Sequence, residues 1–380
     1  MSVTQSQVMD ALRGVQDPEL GQDLVSLGMI KNVTVNGPAV EVTVELTTPA
    51  CPLRTMIQQD VEAAVRNIEG VTDVTVNITA QVRSHTPATH LPGVRNIIAV
   101  GAGKGGVGKS TLAVNIAVGL AREGATVGLL DADVYGPSIA TMMGIEECDV
   151  MVVGEKVMPF EVMGVKTISM GNFIPPGQAL IWRGPMIHSA IMNLLTQVEW
   201  GELDYLIIDL PPGTGDVPLS LAQSLPITGA VVVSTPQAVA VNDAVRAARM
   251  YQQLGIYVLG IVENMSYFLC DGCQKEHDLF GRGGAKAAAE ELDVPFLGEM
   301  PLYASMRAST DSGRASDNFA AGAPSAAAIG QIVRNLAGQV SIRHTVAPAP
   351  QPLQVNAGPA HQHGSDCGHD HSGSDCGHGQ

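Results

Sequence analysis

The residues with the clearest chemical meaning form a glycine-rich loop, Gly103 to Thr111, which reads G-K-G-G-V-G-K-S-T. An apolar run, Asn96 to Val100, precedes this loop, and a segment with helical spacing, Leu112 to Ala121, follows it. In a strand–loop–helix unit of this kind, backbone N–H groups and the positive end of the helix face phosphate oxygens. Lys109 is spaced to reach the β- and γ-phosphates, and Ser110 to bind Mg²⁺. The residues of this predicted nucleoside-triphosphate site are Gly103, Lys104, Gly105, Gly106, Val107, Gly108, Lys109, Ser110 and Thr111.

A second lysine, Lys104, stands at the start of the loop, a position that an ordinary P-loop leaves open. The pattern K-G-G-x-G-K-[ST] closely resembles the deviant loop of the dimerising ATPases of the ParA, MinD and nitrogenase-iron-protein class. In that class the early lysine crosses a dimer interface and stabilises transition-state charge on the partner's phosphates, as an arginine finger does. The resemblance implies ATP, a homodimer, and catalytic roles for Lys104 and Lys109. The alternative for Lys104 is a solvated loop lysine.

Carboxylates follow two further apolar runs. Asp133 closes the D-A-D segment that starts at Asp131, and we expect it to orient or activate the attacking water. Asp209 begins the segment D-L-P-P-G-T-G-D and suits a water-mediated contact with Mg²⁺. An aspartate at the end of a strand is also an ordinary turn former, which is the alternative for both. Asn264, after a later apolar run, matches the position that reads the adenine edge in the dimerising ATPases, although asparagine is common in turns as well.

Two cysteines, Cys270 and Cys273, form a C-x-x-C pair in a predicted loop. Two thiolates can hold one edge of a metal site, whereas a cubane iron–sulfur cluster usually takes four cysteines and a structural zinc takes four ligands. A two-fold dimer brings two such pairs together and completes the set. The alternatives are a zinc site that adds His277, which has only three local ligands, and a redox dithiol without a thioredoxin-like context. The pattern favours the cluster.

The composition restricts the classes of function. The chain has 380 residues, a formal charge of −16 and a pI of about 4.9. This acidity disfavours sequence-independent binding to nucleic acid, so we expect no nucleic-acid partner. The longest apolar runs are of strand length, so we expect no membrane partner. The first thirteen residues lack the apolar core of a secretory signal, and we expect a cytoplasmic protein.

The pattern of apolar residues predicts two domains and a tail. Residues 1–83 form a small α+β domain with helices at Gln5 to Val15 and Leu53 to Ile68, and residues 84–95 form a linker. Residues 96–343 alternate strands and helices, which predicts a large α/β domain with a doubly wound, mostly parallel sheet. Residues 344–380 form a disordered tail by composition.

Cysteine and histidine also occur outside the C-x-x-C pair. Cys51 precedes a predicted helix, and we expect its thiol to have a lowered pKa. It resembles the reactive cysteine of an iron–sulfur-assembly domain, while a packed small residue is the alternative. The tail repeats the hexapeptide G-S-D-C-G-H and is rich in histidine. It could buffer iron, zinc or nickel, or it could be dispensable.

Several segments together resemble the Mrp/ApbC family, bacterial relatives of the cytosolic scaffold ATPases that carry iron–sulfur clusters. The resemblance covers essentially the whole large domain, and the small domain resembles the iron–sulfur-assembly domain often fused to such proteins. It implies a homodimer with a labile bridging 4Fe-4S cluster on Cys270 and Cys273, ATP hydrolysis, and delivery to apo-proteins in exchange with cluster-assembly scaffolds. The segments are G-K-G-G-V-G-K-S-T, D-A-D-V-Y-G-P-S, W-R-G-P-M (Trp182 to Met186), D-L-P-P-G-T-G-D, V-E-N-M-S and the C-x-x-C pair.

Two other classes of function are alternatives. A positioning ATPase of the MinD/ParA type would have a basic amphipathic membrane helix or basic DNA-binding surfaces, whereas this chain is acidic and ends in polar, His-rich sequence. A zinc or nickel metallochaperone NTPase is suggested by the tail. Guanine-reading NTPases commonly carry an N-K-x-D-like loop, which the sequence around Asn264 lacks. The sequence therefore favours an ATP-dependent cluster carrier.

Overall fold

The computed structural model describes residues 3–83, 91–174, 184–213, 215–270, 272–273 and 275–346. Three predicted features lie at least partly outside them, the first of which is the linker, whose residues 84–90 are not described. Trp182 and Arg183 of the W-R-G-P-M segment are not among the described residues, and neither is the predicted tail from residue 347 onward. No helix in the described ranges is long and apolar enough to cross a membrane.

The small domain is a three-stranded sheet covered by two helices. A hairpin turns at Gly37, which adopts a φ of +63°, and its antiparallel strands place Val33 opposite Val42. The third strand adds parallel to the second, and apolar faces of both helices close a separate core. Its elements are α1 (Gln5–Leu12), β1 (Gln16–Asp17), β2 (Gln22–Asp23), β3 (Ile30–Asn36), β4 (Ala39–Leu46), α2 (Arg54–Arg66) and β5 (Asp73–Ala80).

The first half of the large domain contains the glycine-rich loop and the strands on one side of it. The helix after the loop starts at Lys109, and Gly124, with a φ of +98°, follows its end. Its elements are β6 (Ile97–Ala102), α3 (Lys109–Arg122), β7 (Val127–Asp131), α4 (Ile139–Met142), β8 (Val152–Val153), β9 (Lys156–Val157), β10 (Phe160–Val162), β11 (Val165–Ser169), a 3₁₀ turn (Met170–Phe173), α5 (Gly184–Gln197) and β12 (Tyr205–Asp209).

The second half of the large domain completes the sheet and ends in a long helix. That helix continues to Val346, three residues into the segment assigned to the tail. The elements of this second half are α6 (Asp216–Ser224), β13 (Gly229–Ser234), α7 (Ala238–Gln253), β14 (Val258–Leu269), β15 (Glu276–His277), α8 (Gly284–Glu291), β16 (Phe296–Leu302), α9 (Ala304–Asp311), a 3₁₀ turn (Ala315–Phe319) and α10 (Ala326–Val346).

The sheet of the large domain confirms the predicted fold class. Its order is β10-β11-β7-β12-β6-β13-β14-β15, with β16 also paired to β14, and the pairs from β11 through β14 and on to β16 are parallel. Apolar side chains form one core on each face, one against α3 and α10 and the other against α5 and α7. The sheet is therefore doubly wound, and the carboxyl ends of β6, β7, β12 and β14 meet at one edge.

The small domain is docked on the large domain through the loop that follows β4. Thr47 bonds to Ser341 of α10 at 2.9 Å, and the hydroxyl of Thr48 lies 3.0 Å from that of Tyr205 in a buried contact. Ala50 is buried in the core of the large domain. The loop that carries Cys51 is therefore part of the contact between the two domains.

One element departs from its predicted length. The sequence predicts a strand over Val258 to Val262, whereas β14 continues to Leu269. The continuation passes an irregularity at Met265, which has a φ of +55°, and pairs antiparallel with β15. The polar pair Glu263-Asn264 breaks the apolar run, and so the sequence pattern stops before the strand does. The C-x-x-C pair consequently follows a strand directly.

Candidate functional site

The glycine-rich loop has the backbone that a phosphate cradle requires. Gly106 and Gly108 adopt φ values of +81° and +82°, which side chains other than glycine rarely adopt. A Cβ atom at Gly103 would lie 2.1 Å from the main-chain oxygen of Asp243, so only glycine fits there. A Cβ atom at Gly106 would meet nothing within 4 Å, which means that this side of the loop faces open space. The loop residues therefore fit a nucleotide phosphate chain.

Lys109, Ser110, Asp133 and Asp209 converge beneath the loop. The ammonium of Lys109 lies 2.7 Å from Asp209 Oδ1 and 3.5 Å from Asp133 Oδ2. Ser110 donates its hydroxyl to Asp209 Oδ2 at 2.5 Å. Burial raises the pKa of Asp209, while the charge and hydrogen bond of Lys109 oppose that rise. A hydroxyl and a carboxylate beside a lysine are hard oxygen donors of the kind that Mg²⁺ takes.

Asp133 supplies an unsatisfied acceptor at this site. Its Oδ1 atom is buried and has no hydrogen-bond partner among the described residues. A buried carboxylate oxygen without a donor is costly, so it fits a water molecule or a cation at that position. The residues present therefore fit the predicted Mg²⁺ and attacking water, while the roles of Lys109, Ser110, Asp133 and Asp209 remain predictions.

Asp131 has a structural role that the sequence analysis did not assign. Its fully buried carboxylate accepts a hydrogen bond from Ser169 Oγ at 2.7 Å and one from the N–H of Asp133 at 3.1 Å. It also accepts the N–H groups of Ser138 and Ile139, each at 3.1 Å. Burial, with the charge of Asp209 second, raises the pKa of Asp131 to about 7. Asp131 thus shapes the loop that presents Asp133, and the signal for it was the repeated aspartate of the D-A-D segment.

Asn264 lies against the P-loop rather than in a turn. Its side-chain amide donates to the main-chain oxygen of Val107 at 2.8 Å. A Cβ atom at Gly108 would lie 2.1 Å from Asn264 Nδ2, so the two segments are packed closely. Asn264 therefore bonds the P-loop to β14, and its role as an adenine reader remains a prediction.

The C-x-x-C pair occupies the end of a hairpin formed by β14 and β15. Phe268 pairs with His277, and the N–H of Cys270 donates to the oxygen of Lys275 at 3.0 Å. Cys270 is half-buried and Cys273 is exposed. In the described parts of the chain, no three His, Cys, Asp or Glu side chains are grouped to hold a metal, and His277 does not complete such a group. One chain therefore presents the two cysteines as a partial ligand set.

The prediction of a lowered pKa for Cys51 is wrong. Burial raises the pKa of this thiol to about 11, and the nearby charges of Glu19 and Asp17 add to the rise. Cys51 lies three residues before the first residue of α2, and the N–H groups of Leu53 and Arg54 at the start of that helix favour the thiolate and oppose the rise. Cys51 packs against the core of the small domain, and this burial outweighs the N–H groups, which the position of Cys51 before a helix could not indicate.

The structure thus brings the predicted residues together in two groups. The P-loop residues, Asp133, Asp209 and Asn264 form one site at the carboxyl edge of the sheet. Cys270 directly follows β14, six residues beyond Asn264, which is about 20 Å at most at the rise of an extended strand, and Cys273 follows it. Lys104, at the entrance of the loop, is half-buried and forms no hydrogen bond or ion pair with the described residues.

Comparison with known proteins identifies the family. A family model described as NUBPL iron-transfer P-loop NTPase matches residues 93–337, well over half of the chain. The chain belongs to this iron-transfer P-loop NTPase family. A second model, described as iron–sulfur cluster assembly protein, matches residues 5–78. The two matches confirm the resemblance to the Mrp/ApbC carriers that the motifs indicated.

Relatives of this NTPase family include proteins similar over nearly the full chain. An iron–sulfur cluster carrier protein of Deinococcus radiodurans is 50% identical over 92% of this chain and 99% of its own length. One of Synechocystis is 49% identical, covering 90% of this chain and 99% of that protein. Among solved structures, a nucleotide-binding protein of Archaeoglobus fulgidus in complex with ADP is 41% identical, with a TM-score of 0.52, covering 59% of this chain and 89% of that one.

Proposed function

We propose that this protein is an ATP-hydrolysing carrier of iron–sulfur clusters that holds a labile cluster between two copies of the chain. The single observation that supports the proposal most is the course of β14. This strand bonds to the P-loop through Asn264 and ends at Leu269, directly before Cys270, so one element leads from the nucleotide site to the cysteine pair. A change at the phosphates is thereby connected to the cluster ligands through a continuous strand.

The nucleotide site is proposed to bind and hydrolyse ATP. The loop residues Gly103 to Thr111 would bind the phosphates, and Ser110 with Asp209 would hold Mg²⁺. Bound Mg²⁺ neutralises charge on phosphate oxygens. Lys109 would do the same at the β- and γ-phosphates, and Asp133, whose Oδ1 has no donor among the described residues, would orient the attacking water.

Lys104 is proposed to act across the dimer. Its ammonium has no acceptor among the described residues, and it stands at the mouth of the P-loop. A lysine from the partner copy would stabilise charge on the transferring phosphoryl group, and hydrolysis would then depend on dimer formation. Nucleotide binding would in this way control how the two copies approach one another.

The cargo is proposed to be a 4Fe-4S cluster ligated by Cys270 and Cys273 of both copies. Two thiolates from one chain supply half of the four that such a cluster takes. A two-fold axis near the hairpin tips would supply the other half. The exposure of Cys273 supports a labile site that is open to exchange. Recipient apo-proteins and assembly scaffolds would be the exchange partners, in the cytoplasm.

Anaerobic reconstitution with iron and sulfide tests the site. Absorption near about 400 nm, where thiolate-to-iron bands fall, reports the cluster. We expect Cys270→Ser/Cys273→Ser to lose this absorption, while Cys148→Ser, a matched change at another exposed cysteine, keeps it. A truncation at residue 346 separates any contribution of the tail. Retention of the cluster by the double variant and its loss in the truncation would show that the ligands lie in the tail.

A further inference from the structure

The cysteine hairpin is held to the rest of the large domain by Arg282. This arginine lies in the segment between β15 and α8, and its Nη1 bonds to Glu276 of the hairpin at 2.6 Å. Its Nε bonds to Glu299 of β16 at 3.1 Å, and its Nη2 bonds to the other carboxylate oxygen of Glu299. The guanidinium also lies over the ring of Tyr267, 4.2 Å from its centroid. Arg282 therefore contacts both strands of the hairpin and a neighbouring strand.

The segment that carries Arg282 is itself fixed to β14. The buried carboxylate of Glu263 accepts the N–H groups of Gly283 and Ala285, each at 2.8 Å. These two N–H groups belong to the start of α8, where a carboxylate is favourable because the helix end is positive. Glu263 adjoins Asn264, which bonds to the P-loop. Glu263, which bonds the segment next to Arg282, and Asn264, which bonds the P-loop, are thus consecutive residues of β14.

The contacts of Arg282 differ from those of an ordinary surface ion pair. An exposed pair contributes little to stability because solvent screens it. About a third of the Arg282 side chain is exposed, 34%, but its guanidinium is shared between a forked contact to Glu299, a contact to Glu276 and an aromatic face. Forked, networked and stacked contacts are those in which arginine cannot be replaced by lysine without loss.

We propose that Arg282 is a positioning residue that holds the Cys270–Cys273 hairpin in the geometry needed to retain a cluster. This inference rests on the proposed function, since it assigns Arg282 to the same cysteine site. Glu276 on β15 and Tyr267 on β14 contact the guanidinium from the hairpin, whereas Glu299 contacts it from β16. Loss of the arginine removes the side-chain connection between Glu276 on β15 and Glu299 on β16, while the main-chain pairing of β14 with β16 remains. The cysteines and the P-loop stay unchanged in sequence.

The test compares Arg282→Gln, Arg282→Lys and Glu276→Gln with the parent protein. A matched control is Arg307→Ala, which removes an exposed arginine paired with Asp311 on α9. Two measurements are made on the full chain: hydrogen exchange at the amides of residues 270–277 in cluster-free protein, and the rate at which reconstituted protein loses iron to a chelator. We expect Arg282→Gln to raise both rates about five- to tenfold and Glu276→Gln to raise them less. Arg282→Lys should give rates between those of Arg282→Gln and the parent. The control should match the parent.

The outcomes separate this inference from the proposed function. If the variants at Arg282 and Glu276 exchange and lose iron at the parent rate, while Cys270→Ser/Cys273→Ser fails to load, the positioning role is wrong and the cysteine site stands. If the double cysteine variant loads normally, the proposed site is wrong. The exchange measurement then still decides whether Arg282 holds the hairpin. A general loss of folding in Arg282→Gln would appear as a lowered melting temperature, and Glu276→Gln then decides the question.

Discussion

Asn264 donates its side-chain amide to the main-chain oxygen of Val107 across 2.8 Å, so the strand that leads to Cys270 is bonded to the centre of the P-loop. Six residues further along that strand the cysteine pair begins. A displacement of the loop by a nucleotide would therefore act directly on β14. The contact gives a physical route between the two proposed sites that does not pass through the core.

Replacement of Asn264 distinguishes a support for the P-loop from an adenine reader. Asn264→Ala leaves the buried oxygen of Val107 without a donor, which costs about 1–3 kcal/mol. As a support alone, Asn264 would affect ATP and GTP binding equally, whereas an adenine reader would favour ATP. We expect weaker ATP binding and a reduced preference for ATP over GTP, measured by calorimetric titration.

The control for that variant is Asn335→Ala. Asn335 likewise donates its amide to a main-chain oxygen, that of Leu297, but on α10. It should leave both affinities unchanged. Equal weakening of ATP and GTP in Asn264→Ala would remove the adenine-reading role and keep the structural one.

Lys104→Ala should retain ATP affinity and lose hydrolysis. A charge supplied across an interface stabilises the transition state, and such residues contribute about 10³–10⁵ in rate. Steady-state phosphate release and equilibrium nucleotide binding measure the two quantities separately. Lys286→Ala, at an exposed lysine of α8, serves as the control. Unchanged turnover in Lys104→Ala would refute the proposed action across a dimer.

Most of the fold was predictable because its signals are local. The buried runs Ile97–Ala102 and Tyr205–Asp209 show as continuous apolar sequence, and the glycines of the P-loop mark the turn between a strand and a helix. The length of β14 was not predictable, because Glu263 and Asn264 interrupt its apolar run. Those two polar residues are satisfied by partners distant in sequence, the start of α8 and the P-loop.

The residues that the sequence analysis missed depend on tertiary contacts in the same way. The roles of Asp131 and Arg282 depend on partners from other elements: Asp131 bonds to Ser169, and Arg282 bonds to Glu299. The raised pKa of Cys51 likewise follows from its burial against the core of the small domain. Spacing along the chain could place the P-loop and the cysteine pair, but it carries no information about such partners.

Asp131 gives the protein a specific pH dependence. Because burial raises its pKa to about 7, the folded state holds a proton that the unfolded state releases near about pH 4. This group therefore lowers the free energy of unfolding as pH rises between these values, by up to about 1.4 kcal/mol per pH unit. We expect the free energy of unfolding, measured with urea, to decrease less between about pH 5 and about pH 7 in Asp131→Asn than in the parent. Asp311→Asn, at an exposed aspartate, should show the parent slope, and an unchanged slope in Asp131→Asn would contradict the shift.

Burial against the core of the small domain should protect the thiol of Cys51. Alkylation followed by peptide mapping should modify Cys273 rapidly and Cys51 slowly, because burial raises the pKa of Cys51 to about 11. Tyr205→Phe removes the hydroxyl that lies 3.0 Å from Thr48, and about 1 kcal/mol of lost bonding should make Cys51 react several times faster. Tyr251→Phe, at a tyrosine buried in the other core, is the control. Equal reaction of Cys51 and Cys273 in the parent would contradict the burial of Cys51.

The central claim is that two copies of the chain share one cluster, and the ratio of iron to protein mass tests it most directly. Anaerobically reconstituted protein is separated by size with light scattering, and iron and sulfide are measured across the peak. We predict a dimer with about four iron atoms per two chains, which becomes iron-free in Cys270→Ser/Cys273→Ser. A monomer that carries a complete cluster, or a double cysteine variant that keeps its iron, would contradict the account.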